Sequence, residues 1–493
     1  MCCRLRLNAH RSKQLNMITT TSSEETMAIQ SSLKTRQHQA NKLLQRINFE
    51  EIKVVDIRFT ALYGQCLQTS ICASALGEHD LIHGIPISGA IAGWKHPTNS
   101  DLIIVPNLNN AFTMLNTYEG TQRSLVLFGS AHDPSSQQPL QNDPRNIAVQ
   151  ALAALRSSGI ASKCLVGPEI EFSIFDDVNF EISTNRSHFD IKEVKSNHSL
   201  SISHSYYGQS YDRLYQIREK ILGRMEDAGL HPLGHHHEAA IGQSEIKLKP
   251  ACLLSMADKT QLTKSIIQNT AESSDKVVSF MPQPLNGQGG NGFHINISLW
   301  NEEHNLFAAS DSSKISELAQ FFIGGILKHI KTLNCICNPN PNSYKRLSQA
   351  FYRRGQASYS YESRLTGIRV PMATSPENVR IELRFPDNSC NPYLAFSAVL
   401  MAGLDGISKK RHLGKPTTGT PILNANRPPF RHPKGMARDL YEASSALHED
   451  RAFLLRHGVF NESIINALIT HSISRHEQAE DHSTPIEFAN SYC

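Results

Sequence analysis

The residues of this chain best suited to metal chemistry are five glutamates and one histidine. They are Glu169 and Glu171 in GPEIEF, Glu238 and Glu245 in HHHEAAIGQSE, His294 in NGGNGFHINIS and Glu382 in RIELRFPD. Carboxylate oxygens are ligands for hard divalent cations, and so many acids brought together without cations would carry an unpaid desolvation cost. A pair of hard divalent ions is the simplest account of such a set, and paired hard ions point to phosphoryl chemistry. Singly, each motif has a blander reading. An E-x-E pair is ordinarily a solvated strand face, R-x-E-x-R a surface ion-pair ladder, and His235-His236-His237 an exposed turn. The joint occurrence, in this order, favours a site.

The elements that must carry these residues can be read locally. Glu169 and Glu171 alternate with Ile170 and Phe172, so on a strand both carboxylates share one face and the apolar pair takes the other. Arg380 to Phe385 alternates more strictly, setting Arg380, Glu382 and Arg384 opposite Ile381, Leu383 and Phe385. Guanidinium groups flanking a carboxylate suit a site that handles anionic oxygens. After His294, Asn296 and Ser298 recur at period two. The Gly-rich run before it, from Asn286 to Gly292 and including Gly290, permits close approach of a ligand to the backbone. It is not a Walker loop, since no GK[ST] follows.

At 493 residues, with a formal charge of +4 and ordinary apolar and charged fractions, the chain has room for two domains. The small net charge predicts no nucleic-acid partner, and no apolar run approaches the roughly 20 residues that span a bilayer. Ten cysteines without C-x-x-C spacing read as reduced thiols of a cytoplasmic enzyme. Residues 1–48 are polar, lack the apolar stretch of a secretory signal, and are expected to be disordered. A strand is predicted at Ile52 to Phe59. The Ser, Pro, Gln and Asp-rich segment Ser130 to Asp143 predicts a boundary near residue 135. Helices are predicted over Asn146 to Ser158, Tyr211 to Ala228 and Ser313 to Leu333.

The order and text of these motifs resemble class I glutamine synthetases. The resemblance is carried by GPEIEF, HHHEAAIGQSEI, NGFHINISLW, NPNPNSYKRL, SYESRLTGIRVP, SPENVRIELRFPDNSCNPYLAFSAVLMAGLDGI and the closing TPIEF, across roughly residues 49 to 492. It implies an α+β fold: a β-grasp N-terminal domain at 49–135, then a catalytic domain at 136–493 with an antiparallel half-barrel sheet surrounded by helices. It also implies ATP and two or more Mg2+ or Mn2+ ions per site, glutamate as substrate, and a homo-dodecamer of two stacked hexameric rings. Glu171, Glu238 and Glu245 would hold the ion at the glutamate end, and Glu169, His294 and Glu382 the ion on the nucleotide phosphates. Arg364 and Arg369 would act on the transferring phosphate, and Arg346 and Arg384 on the glutamate carboxylate or γ-phosphate. Ser298 and Arg380, with Arg369, would contact nucleotide. Gly290, His294, Ile87 and Tyr352 would complete the substrate pocket.

The chain departs from that family where ammonium is handled. Ammonia-using members carry an aspartate in a D-G-S-S segment before a G-W pair and a glutamate on a mobile flap; the matching positions here are Ile87 and Tyr352, with Glu362 and Ser363 replacing an arginine and an asparagine nearby. No Asp or Glu lies between Asp80 and Asp101 or between Arg346 and Tyr361, so a slip in alignment restores neither acid. An ammonium ion must lose solvation and a proton before it can attack, and this pocket offers little compensation. A γ-glutamyl-amine ligase is expected, its acceptor leaning toward a neutral or aryl amine. An ammonia-using glutamine synthetase and a non-catalytic scaffold of the same family stay open as alternatives.

Overall fold

The computed structural model describes residues 33–115, 123–193, 205–206, 208–309, 315–352, 357–361, 363–417, 435–482 and 484–485. The described residues begin with a helix, α1, over residues 33–49, where disorder was expected. Ala40, Leu43 and Ile47 fall on one face and are buried in the first core, and the Arg36 guanidinium donates to the carbonyls of Leu81 and Pro106. Residues 1–32 lie outside the described residues.

Five strands follow: β1 (Val54–Thr60), β2 (Cys66–Cys72), β3 (Ile85–Ser88), β4 (Asp101–Leu115) and β5 (Arg123–His132), with a short helix α2 (Glu78–His83) between β2 and β3. They form one mixed sheet in the order β2-β1-β5-β4-β3, with β1 parallel to β5 and β3 at an edge. Strand β5 is apolar on both faces for a reason. Leu125, Leu127 and Ala131 join the core under α1, while Val126 and Phe128 join the core of the larger domain. The first sheet is thus bonded to the rest of the chain by packing.

The larger unit begins at α3 (Pro144–Ser157), started by the Asp143 side chain accepting from the Arg145 N–H and by Pro144 in the first turn. Strand β6 (Lys163–Phe175) comes next, then a hairpin of β7 (Asp177–Ser183) and β8 (Arg186–Lys192), α4 (Tyr215–Asp227), β9 (Pro232–His237) and β10 (Gln243–Leu248). After β11 (Ala251–Cys252) and α5 (Leu253–Glu272) come β12 (Val277–Ser279), β13 (Phe293–Asn301) and β14 (His304–Asn305). The remaining elements used below are α6 (Glu317–Lys328), α7 (Ile330–Cys337), α8 (Pro341–Tyr352), β15 (Tyr359–Tyr361), β16 (Ile368–Val370), β17 (Ile381–Leu383) and α9 (Pro392–Ser408).

The main sheet runs β15-β16-β17-β13-β6-β10-β9, with β11 and β12 also paired to β6 and β14 to β13; every pair except β15–β16 is antiparallel. This is the expected α+β architecture with a curled antiparallel sheet. One face is sealed by helices. Ile170, Phe172, Ile246, Ile295, Ile297, Ile381 and Leu383 are buried there, α5 packs on β6, and Phe293 stacks on Phe396 of α9 at 5.8 Å between centroids. Burial of each such side chain contributes about 1.5–3 kcal/mol. Beneath this layer a buried ion pair joins α3 to α5: Arg145 donates two hydrogen bonds of 3.0 Å to Asp258, which also accepts from the Tyr393 hydroxyl at 2.6 Å.

The helix expected over Ser313 to Leu333 is two helices, α6 and α7, broken at His329. The cause is tertiary. The buried His329 ring sits between Asp450, 2.7 Å from Nδ1, and Asp405, 3.0 Å from Nε2, and the backbone turns there with φ −99° and ψ 12°.

Candidate active site

The other face of the main sheet is polar, and strand register puts the expected ligands side by side. His294 stands opposite Glu169 across β13 and β6, Glu245 opposite Glu171 across β10 and β6, and Glu382 opposite Asn296 across β17 and β13. Directly paired residues of antiparallel strands point to the same face. Five of the six side chains therefore share that face, and Glu238, just past the end of β9, lies close to His236 and Glu245.

Distances bear this out. The His294 ring lies 3.2 Å from Glu169 and 3.4 Å from Glu171, and 3.9 Å from Glu382. The carboxylate of Glu171 accepts from the Gly292 N–H at 2.7 Å and from Gln243 at 3.1 Å. Glu382, 1 % exposed, is held by Arg369 at 2.7 Å and by Arg384. One ligand atom each from Glu169, Glu245 and His294 lie within 4.8 Å of one another, and so do those of His236, Glu238 and Glu245. Glu245 is common to both groups. His236 stands with Glu238 and Glu245 in this grouping, and Glu171 and Glu382, like Glu169, also accept from protein donors.

His236 is the site residue that local reading missed. It lies on β9 opposite Glu245, with Nδ1 3.3 Å from Glu238 and Nε2 3.4 Å from Glu245. Tyr206, whose ring is 4.5 Å from that of His236, and Ser205, which donates to Glu238 at 2.9 Å, are two further neighbours. Nothing in the HHH run signals which ring faces inward; only the pairing with β10 does.

The chain's own donors satisfy this cluster only in part. Glu245 Oε1 faces Lys247 Nζ at 3.2 Å and His236 Nε2 at 3.4 Å without a hydrogen bond of good geometry to either, and Nε of Arg384 is buried without a partner. A buried carboxylate oxygen so held, among four other acids and two imidazoles, belongs to a donor set that fits hard divalent ions. Electrostatics agree. Burial would raise the Glu169 carboxyl, but the bond and charge of His294, with Lys247 and Arg384, hold it at about 2. Burial also opposes ionisation of Glu382, and Arg384, His294 and Arg369 outweigh it. Glu238 goes the other way: burial, then the charges of Glu171 and Glu245, raise it.

A pH prediction follows from Glu238. A carboxyl raised in the folded state takes up its proton first as the pH falls, and a bound ion needs the carboxylate, so proton and metal compete there. The rise in melting temperature on adding Mn2+ is expected to be larger at about pH 8 than at about pH 5.5. Calorimetry at both values checks it; an equal rise would contradict it.

The remaining expected residues are placed as follows. Arg369 and Arg384 join the cluster through Glu382. Arg346 is buried and donates to the carbonyls of Phe385, Pro386 and Arg384. Arg380 bonds Asn296 at 3.0 Å, and Asn296 in turn donates to Glu169 at 3.3 Å. Ser298 accepts from the Trp300 indole at 2.9 Å. Arg364 is exposed. The close approach at the Gly-rich run serves the protein itself. A Cβ at Gly290 would meet the Pro282 carbonyl at 2.4 Å, and one at Gly292 the Arg346 guanidinium at 2.5 Å. Ile87 lies on the edge strand β3, opposite Leu102, packed on the first core. Tyr352 ends α8 and its side chain, like Glu362, lies outside the described residues.

Among the described residues no helix is long and apolar enough to cross a membrane. A family profile, glutamine synthetase, catalytic domain, matches residues 141–491. The glutamine synthetase of Pasteurella multocida is 36% identical over 462 residues, covering 90% of this chain and 96% of that protein. A 3-hydroxylaminophenol mutase of Cupriavidus pinatubonensis is 35% identical over 468 residues, covering 91% and 98%. Among solved structures, a Plasmodium falciparum glutamine synthetase superposes with a TM-score of 0.81 at 24% identity, covering 92% of this chain and 98% of that one, a likeness of fold.

Proposed function

The chain belongs to the glutamine synthetase family of ATP-dependent ligases, and from that premise we propose that it joins the γ-carboxyl of glutamate to an organic amine rather than to ammonia. The observation that carries the reading is the pairing of a complete ligand set with a missing ammonium site. Five of the residues expected as ligands share one sheet face and Glu238 lies beside Glu245, while the positions expected to hold the two ammonium-site acids are Ile87 and Tyr352. The glutamine synthetases among the relatives favour ammonia as the alternative acceptor. The mutase of similar identity is named for an aromatic hydroxylamine, which supports an aryl-nitrogen substrate on this scaffold.

In this reading Glu171, Glu238 and Glu245, with His236, and Glu169, His294 and Glu382 would hold the divalent ions, which supply charge neutralisation at phosphate and carboxylate oxygens. The glutamate γ-carboxylate oxygen attacks the γ-phosphorus of ATP, ADP leaves, and an acyl phosphate results. Arg364 and Arg369 offset charge on the phosphoryl oxygens, with Ser298 and Arg380 on the nucleotide. Arg384 keeps a buried unpartnered Nε as a donor for an anionic substrate, and Arg346 and Gly290 shape the floor beneath it. The amine nitrogen then attacks the acyl carbon, phosphate leaves, and the nitrogen gives up one proton. An aryl amine is already neutral near about pH 7, so attack needs no carboxylate to deprotonate it beforehand. Ile87 is apolar and Tyr352 aromatic, side-chain types suited to such an acceptor. By the family's pattern the segment Ile87 to Trp94 completes the site of a neighbouring subunit in a homo-dodecamer.

Restoring the acids tests this. Ile87→Asp with Tyr352→Glu is expected to raise kcat/KM for ammonium at least about tenfold and to lower it for the preferred amine. Kinetics of the double variant that match wild type for both acceptors would contradict the assignment.

A further inference from the structure

Lys247 stands among the carboxylates and has no part in the scheme above. It follows Glu245 by two on β10 and pairs with Glu169 across β6, so its stem rises from the same face as the ligands. Its Nζ lies 3.2 Å from Glu245 Oε1 and 3.9 Å from Glu169 Oε1. Those acids belong together to one of the close-set ligand groups, and Glu245 to both. The side chain of Lys247 is 36% exposed, against 5% for Glu245 and 16% for Glu169, so the ammonium sits on the open rim above them. Arg369 and Arg384 differ in being bonded to the almost fully buried Glu382.

An ammonium has no lone pair to give a metal and is repelled by one. A divalent ion that takes Glu245 and Glu169 must therefore displace it. The lysine stem is long and flexible, and its head is a compact point charge suited to phosphate oxygen. The anion that reaches this face in the reaction is the nucleotide's polyphosphate. Resting on the reading given under Proposed function, we propose that Lys247 is an exchangeable countercation: it neutralises Glu245 and Glu169 before metal binds, yields them to the divalent ion, and then contacts the nucleotide phosphates.

The two halves of this proposal have opposite signs in one variant. Mn2+ binding, followed as the free-ion paramagnetic resonance signal of the full-length protein without substrates, is expected to be about tenfold tighter in Lys247→Met than in wild type, and close to wild type in Lys247→Arg. Binding of a non-hydrolysable ATP analogue at saturating Mn2+ is expected to weaken about tenfold in Lys247→Met, with Lys247→Arg recovering most of the loss. A lysine that only packed the strand would not tighten metal binding when removed. Equal or weaker Mn2+ binding by Lys247→Met overturns the proposal and leaves the ligase reading standing. Tighter Mn2+ with unchanged analogue affinity overturns the handover to phosphate. A wild-type protein that binds no Mn2+ overturns the proposal together with the site reading beneath it.

Discussion

Glu382→Gln is expected to lower glutamate-dependent phosphate release by about 10³-fold. Glutamine keeps the volume of the side chain, so packing is not what changes. The charge is lost at a position 1 % exposed, beside two guanidinium groups and 3.9 Å from His294. Arg369 and Arg384 would then be left with a buried amide in place of an anion, and breaking one side of a buried ionic cluster costs about 3–5 kcal/mol. Two readouts separate the effects. A fall in melting temperature reports the lost ion pairs of Glu382, and loss of turnover at a temperature where the variant is folded reports the missing carboxylate. Near-wild-type turnover from a folded variant would remove Glu382 from the site.

Glu245→Gln is expected to weaken Mn2+ binding by about 100-fold, more than Glu238→Gln does. The reason is position. Glu245 belongs to both close-set groups of ligand atoms, whereas Glu238 belongs to one, and Glu245 faces His236 and Lys247 as well. Removing it opens both groups and leaves Lys247 and the His236 ring facing a neutral amide. Titration of each variant with Mn2+ orders the two losses. A larger loss from Glu238→Gln would place the shared position elsewhere.

Much of the site was legible because its residues sit on strands with clear alternation. Glu169 and Glu171 on β6 and Glu382 on β17 declare their face by the apolar residues between them, and the structure places those faces together. What could not be read locally was pairing. His236 counts as a turn residue until β9 is laid against β10, and Lys247 looks like a surface lysine until β10 is laid against β6. The register also brought His236 in among the acids.

The fold shows the same division. The apolar run of α9 and the Asp143-Pro144 start of α3 are local signals and mark real helices. In α1 the buried positions Ala40, Leu43 and Ile47 are diluted by polar neighbours, so the segment resembles a disordered extension until the first sheet covers one face. The break at His329 comes from Asp405 and Asp450, far along the chain; no proline marks it, and the Gly324-Gly325 pair just upstream lies inside α6 rather than at the break.

The account turns on a working first step joined to an altered second one. The most direct test is phosphate release by the purified protein with ATP, Mg2+ and glutamate, comparing ammonium with alkyl, poly- and aryl amines. Turnover with one amine class, at a kcat/KM at least about 100-fold above that for ammonium, is the predicted result. Efficient turnover with ammonium would contradict it and make Ile87 and Tyr352 tolerated replacements in a glutamine synthetase.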